Sequence, residues 1–352
     1  MPVRKERQVF SNMIRWIKCT AALGAAVLLQ LYGTAAYYAW QLPDSYYVQT
    51  GSRLEVDTAL HIAAVPTAHT VQAAVTASSA ADTTSLRLFG IIPIKDVEIQ
   101  EIDTPMLVPC GEPFGIKLRM DGAMVVGMER IETASGQRCP AQEAGIWVRD
   151  SSAGIGTITF YEPESGSFGG LGHPICDADT GDILPFGSGE AAAVTISQVT
   201  KGVSGCAGML QGSFSDDAPL GELLCNNRCG VFGTLYHNPS AEEAIPMALK
   251  QEIQTGAAQI LCTVSGDTPK AYDITLEEID YSGTDSTRNM TVCITDPELL
   301  EVTGGIVQGM SGSPILQNGK LVGAVTHVFV DDPTRGYGIF CENMVRYGLS
   351  GS

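Results

Sequence analysis

Residues 304–330, GGIVQGMSGSPILQNGKLVGAVTHVFV, hold the stretch whose reading decides the fold. At its centre, Gly309-Met310-Ser311-Gly312-Ser313-Pro314 sets serines among glycines and closes the segment with proline. Two short apolar runs follow, Ile315-Leu316-Gln317 and Lys320-Leu321-Val322, separated by Asn318-Gly319. Asn-Gly readily takes positive φ at both positions, which predicts a two-residue type I′ hairpin. A serine-bearing loop is thereby fastened to two paired strands that hold its backbone still. Nucleophilic serine chemistry asks for this, because the oxyanion it creates must be met by N–H groups already in place. Such a serine also needs a base within reach and a group that orients the base.

The scaffold around this stretch reads as β. Short β-rich runs recur at 156–161, 191–199, 230–236, 259–264, 271–279, 290–294, 321–330 and 337–340, parted by turn chemistry such as Glu164-Ser165-Gly166 and Ser265-Gly266-Asp267. Many short strands with hardly a helix-length pattern predict a barrel or sandwich. Only residues 241–253 have helical composition, and Pro246 interrupts them. The body is mainly β.

The N-terminus has a different character. Residues 1–18 carry Arg4, Lys5, Arg7, Arg15 and Lys18 against Glu6, a net +4, so with −18 overall the remainder carries −22. An acidic body excludes nucleic acid as an expected partner, since that needs a basic face. Residues 19–40 contain no charge and are long enough to cross about 30 Å of hydrocarbon. Tyr37, Tyr38, Trp40, Tyr46 and Tyr47 crowd the far end, as interfacial aromatics do. Basic residues before the span and acidic ones after it place the N-terminus inside and the body outside. A membrane anchor is expected, a cleaved signal peptide being the alternative, followed by a stalk over 41–84.

Ten cysteines, nine of them beyond the span, show no disulfide framework by their spacing. Cys225-Asn226-Asn227-Arg228-Cys229 lacks the second pair a structural metal site needs, so neither metal nor cofactor is expected. Five histidines are available as the base. His61 and His69 lie in the stalk, His237 lies beside Asn238-Pro239, and His327 lies in an apolar strand and reads as a core residue. His173, in Gly169-Gly170-Leu171-Gly172-His173-Pro174-Ile175, sits in a loop fixed by glycines and proline that leaves its ring accessible. For the acid, spacing does not choose among Asp177, Asp179 and Asp296.

These residues carry a resemblance. Gly309-Met310-Ser311-Gly312-Ser313-Pro314 resembles the Gly-x-Ser-Gly-x-Pro nucleophile loop of chymotrypsin-like peptidases. Together with SSAGIGTITF at 151–160, residues 169–177, 230–237 and TDPELL at 295–300, it is similar to the stage IV sporulation protein B peptidase family over 148–344. The resemblance implies a chymotrypsin-like double β-barrel with Ser311 as nucleophile, His173 as base and Asp296 as acid. The backbone N–H groups of Gly309 and Ser311 would form the oxyanion hole, and losing one such donor costs about 2.7–4 kcal/mol in rate. It further implies a membrane-anchored serine endopeptidase of endospore formers, at the forespore membrane and facing the intermembrane space. There it would cleave itself and a membrane-bound regulator of an intramembrane protease, triggering a late sigma factor. A pseudopeptidase that keeps the scaffold as an interaction module is the competing class.

One part departs from the family pattern. Phe114-Gly115-Ile116-Lys117-Leu118 and 139–146 resemble the beginning and a later turn of a PDZ domain, with the intervening groove missing. The expected organisation is therefore a basic segment at 1–18, an anchor at 19–40, a stalk at 41–84, a truncated PDZ-like β unit at 85–146 and a peptidase at 147–352.

Overall fold

The computed structural model describes residues 2–56, 60–66, 82–130, 144–215, 218–282 and 285–349. It separates into two compact units, Met1–Ile102 and Asp103–Ser352.

In the first unit, helix α1 (Pro2–Gln41) contains the expected span. Within its stretch Arg15–Gln41 an 18-residue window has a mean hydropathy of 1.4, and the stretch is long and apolar enough to cross a membrane. Four strands follow: β1 (Ser45–Gln49), β2 (Ile62–Pro66), β3 (Asp82–Leu88) and β4 (Ile92–Ile102). They form one sheet in the order β1-β4-β3-β2, with β1 parallel to β4. Its core joins Tyr38 and Leu42 of the helix end to Tyr46, Leu86, Leu88 and Val97. The expectation of a stalk over 41–84 is thus corrected. Strands β1, β2 and the first residues of β3 come from that segment, and their pairing, β1 with β4 and β2 with β3, is not visible in a local sequence of Ala, Thr and Val.

The second unit opens with β5 (Met106–Pro109), β6 (Pro113–Arg130), β7 (Ala144–Tyr161), β8 (Ser167–Gly170), β9 (Phe186–Thr200) and β10 (Met209–Phe214). Strands β11 (Gly221–Asn227) and β12 (Gly230–Leu235) complete the first half. Strand β6 pairs with both β7 and β9, which closes the ring β6-β9-β11-β12-β8-β7 into a six-stranded barrel. Phe114, Ile158, Phe168, Leu223 and Val231 fill it.

The Phe114–Leu118 run expected in a separate PDZ-like unit is therefore a barrel strand, paired in register with Gly156–Ser152 and with Ala193–Gly189. The unit boundary falls at 102/103 and divides the 85–146 segment. Alternation along a strand reveals that one face is buried, but not which sheet it joins. Of the later PDZ-like turn, residues 139–143 lie outside the described residues.

The second barrel is β14 (Gly256–Cys262), β15 (Lys270–Ile279), β16 (Met290–Ile294), β19 (Arg335–Phe340), β18 (Lys320–Val328) and β17 (Pro314–Gln317), closed by the pairing of β17 with β14. It is packed with Ile260, Ile274, Val292, Met310 and Val325, among others. Between the barrels, 241–253 holds only the short strand β13 (Ile245–Pro246) and a 3-10 turn, Lys250–Glu252. Two short helices interrupt the β pattern, α2 (Pro297–Thr303) before the serine loop and α3 (Cys341–Gly348) at the end. The expected mainly β double barrel with one N-terminal apolar helix is what the chain forms.

Candidate active site

Helix α2 leads into the serine loop. Asp296 caps its N-terminus, accepting from the N–H groups of Glu298 and Leu299 at 2.9 and 3.0 Å. Gly304, with φ 73°, ends the helix in the left-handed region as glycine C-caps do. Gly309 and Gly312 have φ near 100°, at 100° and 98°, a conformation that a side chain at either position would oppose. Beyond the loop, Asn318 and Gly319 have φ 52° and 74°, the expected type I′ hairpin.

The loop is held by the other barrel. Thr157 of β7 donates its N–H to the Ser311 carbonyl at 2.9 Å and its hydroxyl to the Gly309 carbonyl at 2.8 Å. Thr159 donates to the Gly312 carbonyl at 2.8 Å. With those carbonyls turned toward β7, neither the N–H of Gly309 nor that of Ser311 is engaged by any described residue. Both donors are open, as the donors of an oxyanion hole must be. The Ser311 hydroxyl is half-buried and donates to the Thr326 carbonyl at 2.8 Å. Ser313 is fully buried and its hydroxyl has no partner, so of the two serines in the motif Ser311 alone is accessible.

His173 follows β8 through Leu171 and Gly172, at φ 66° and 70°. The same Thr157 reaches this loop, its carbonyl accepting the Leu171 N–H at 3.3 Å. Space is tight on both sides. A Cβ on Gly312 would lie 2.6 Å from the Leu171 nitrogen, and one on Gly172 would lie 2.8 Å from the Thr326 side chain. The histidine and serine loops therefore meet at Thr157 and Thr326. Asn226 braces the far end of the histidine loop, accepting from Ile175 N–H at 2.8 Å and donating to the carbonyls of Ile175 and Leu184.

The His173 Nδ1 lies 2.8 Å from the Pro174 carbonyl, which can only accept, so in the neutral ring Nδ1 carries the proton and Nε2 holds the lone pair. Burial pushes its pKa below the usual value, and the Pro174 bond offsets part of that. No hydrogen bond joins His173 to Ser311, whose hydroxyl rests on Thr326. Asp296 is not brought to His173 either. Besides the helix N-terminus its carboxylate receives the Asp273 N–H at 3.4 Å. The Leu299 bond first, then those of Asp273 and Glu298 and the charge of Lys270, hold it below the usual carboxylate range. Asp177, a second of the three candidates, is buried and accepts from the N–H groups of Asp179 and Thr180 within its own loop.

Sequence reasoning set aside one residue that the fold brings in. His327, on β18, has its ring centroid 5.0 Å from that of His173. It is half-buried, and its Nδ1 has no hydrogen-bond partner, unlike a satisfied core histidine. Burial first, then the nearby His173 and Arg288, push its pKa down to about 4, with Asp285 opposing. His327, Pro174, Arg228, Asp285 and Arg288 line a cleft of about 430 Å³ beside the site. No local sequence signal marked it, and the strand register alone brings it to His173. Cys110, Cys229, Cys262 and Cys341 are buried, and the described cysteines are free thiols. Among the described residues no cluster of His, Cys, Asp or Glu could hold a metal ion.

Among solved structures, the chain is similar to the Rv3671c protease from M. tuberculosis in its active form, at 16% identity over 68% of this chain and 80% of that one, with a TM-score of 0.30. The inactive form of the Rv3671c protease matches at 16% identity over 56% and 85%, with a TM-score of 0.31. No curated protein sequence matches. The pattern of the family described as SpoIVB peptidase S55 matches residues 141–345, more than half of the 352-residue chain, and the chain accordingly belongs to the SpoIVB peptidase family.

Proposed function

We propose that this peptidase is a membrane-anchored serine endopeptidase in which Ser311 is the nucleophile and His173 the general base. The observation that carries the proposal is the meeting of the two loops at Thr157, which ties the serine backbone and the histidine loop to one residue of β7. In the first step Ser311 leaves the Thr326 carbonyl by side-chain rotation and attacks the peptide carbonyl carbon. His173 Nε2 takes the hydroxyl proton and later delivers it to the leaving amine, as the base of a serine peptidase does. The oxyanion is received by the N–H groups of Gly309 and Ser311. Water then hydrolyses the acyl-enzyme with His173 again as base.

Asp296 is the acid that resemblance to the family assigns, yet its bonds describe another task. We propose that it acts as a positioning residue, fixing the helix that delivers the serine loop, while the Pro174 carbonyl sets the imidazole tautomer. Family membership supports a role in sporulation. Within it the substrates would be the chain itself and a membrane-bound regulator, cleaved by a body on the far side of the membrane from the basic N-terminus. A resting Ser311 bonded to a carbonyl also suits a pseudopeptidase, and one experiment separates the two. The detergent-solubilised full chain is treated with a fluorophosphonate probe and the adduct is mapped. Labelling at Ser311 is expected, and it should slow at least ~100-fold in His173→Ala, the contribution of a general base. A folded protein that takes no label would establish the pseudopeptidase.

A further inference from the structure

The β3–β4 turn of the first unit has the backbone of the Asn318-Gly319 hairpin but not its chemistry. Phe89 has φ 53° and Gly90 φ 73°, against 52° and 74° at Asn318 and Gly319. The N–H of Ile91 donates to the Leu88 carbonyl at 3.1 Å, closing a type I′ turn. The first position of such a turn favours Asn, Asp or Gly, and a bulky residue in the left-handed region is an outlier. A phenylalanine there is not explained by the turn. Nor is it explained by the core, because Phe89 is 47% exposed and Ile91 78% exposed. The run from Leu88 to Ile94, LFGIIPI, carries no charge and is bracketed by Arg87 and Lys95.

The same unit shows where this apolar tip lies. Strand β1 runs parallel to β4 with Ser45 beside Glu98, and Lys95 reaches back to Asp44 at 2.7 Å. From Glu98 the strand runs back to Ile91 in the direction of the helix, a distance on the order of 20 Å at about 3.3 Å per residue. The helix records the same overlap. Residues 15–30 are exposed all round, whereas Leu31, Thr34, Ala35, Tyr38 and Ala39 form a covered stripe at the i, i+3, i+4, i+7, i+8 spacing. The stripe joins the sheet's core through Tyr38 and Leu42, with Ile92 and Ile94 packed against it. The sheet therefore flanks the last turns of the apolar helix rather than standing beyond its end. Tyr37 and Trp40, on the uncovered side, are 54% and 80% exposed, as interfacial anchors are.

We infer that the turn at residues 88–91 inserts Phe89 and Ile91 into the lipid bilayer beside α1, so that the first unit grips the membrane at two points. The inference rests on the reading of α1 as a membrane span. A lipid surface fits better than a protein groove because the tip is continuous with the apolar helix and offers no polar side chain.

The test uses the full chain in vesicles of phosphatidylcholine and phosphatidylglycerol that include a phosphatidylcholine with a photoactivatable diazirine on its acyl chain. Adducts are mapped by peptide mass spectrometry. Adducts are expected on residues 89–92 as well as on 19–40. In the double variant Phe89→Asn and Ile91→Ser, which suits the turn backbone, the adducts on residues 89–92 should fall at least tenfold while those on the helix persist. Helix adducts without tip adducts in the wild-type chain would overturn the inference and leave the anchor standing. Absence of adducts from the helix itself would remove the anchor reading and the inference with it.

Discussion

The serine loop and the histidine loop face each other across one threonine, and they are built in opposite ways. The serine loop takes its bends from local signals, and β7 then holds it in place. Its helix is capped by Asp296, its bends sit at Gly304, Gly309 and Gly312, and its exit is an Asn-Gly turn. Each is a signal readable within a few residues. The histidine loop borrows its shape. Thr157, Asn226 and Thr326 hold it from three different strands, and its own sequence supplies only the turn at Leu171 and Gly172. A nucleophile must present fixed donors to a developing charge, whereas a base needs its ring at the right distance, so the second can be set by neighbours.

The largest expected effect breaks the serine loop where it meets Thr157. A Cβ at Gly312 would lie 2.0 Å from the Thr157 carbonyl oxygen, with φ at 98°. Gly312→Ala should cost on the order of 2–5 kcal/mol and abolish fluorophosphonate labelling of Ser311. The control is Gly181→Ala in the histidine loop, also at positive φ but with nothing within 4 Å of the added carbon. It should cost about 1–2 kcal/mol and leave labelling intact. Equal losses in thermal unfolding of the two variants would erase the contrast.

A smaller effect reads the histidine loop by pH. Burial holds His173 below its ordinary pKa, so the neutral base persists to lower pH than a free imidazole would. The labelling rate should hold its plateau through about pH 6.5 and then fall tenfold per unit below the lowered pKa. A midpoint above 6.5 would mean that His173 gains a carboxylate partner. Stability follows the same sign. His173 and His327 both have depressed pKa values, so the unfolded chain takes up protons first. Their contribution is complete above about pH 6.5 and is lost as pH falls from there toward 4, which thermal unfolding across that window measures.

The smallest effect sharpens the role of Asp296. Asparagine caps a helix about as well as aspartate, so Asp296→Asn should change labelling only a few-fold, while Asp296→Ala should cost about 1 kcal/mol of stability. If Asp296 orients His173 after a rearrangement, the asparagine variant would instead lose about 10⁴-fold, as a triad acid does. The two readings differ by orders of magnitude in one measurement.

The sequence by itself determined the membrane-length helix, the many short strands, the Asn318-Gly319 hairpin and the choice of Ser311 and His173 as candidates. Each is a property of consecutive residues, through periodicity, turn conformation or apolar length. Only the tertiary structure decided that β6 closes a barrel instead of opening a separate unit, and that β1, β2 and the start of β3 pair into a sheet. It also decided that His327 stands against His173. The bond from Thr157 to Gly309 spans 152 residues of chain, and no local signal encodes such a partner. Alternation and capping state what a residue needs, a buried face or an acceptor. Which distant residue meets the need is settled only when the two barrels close and their loops share a surface.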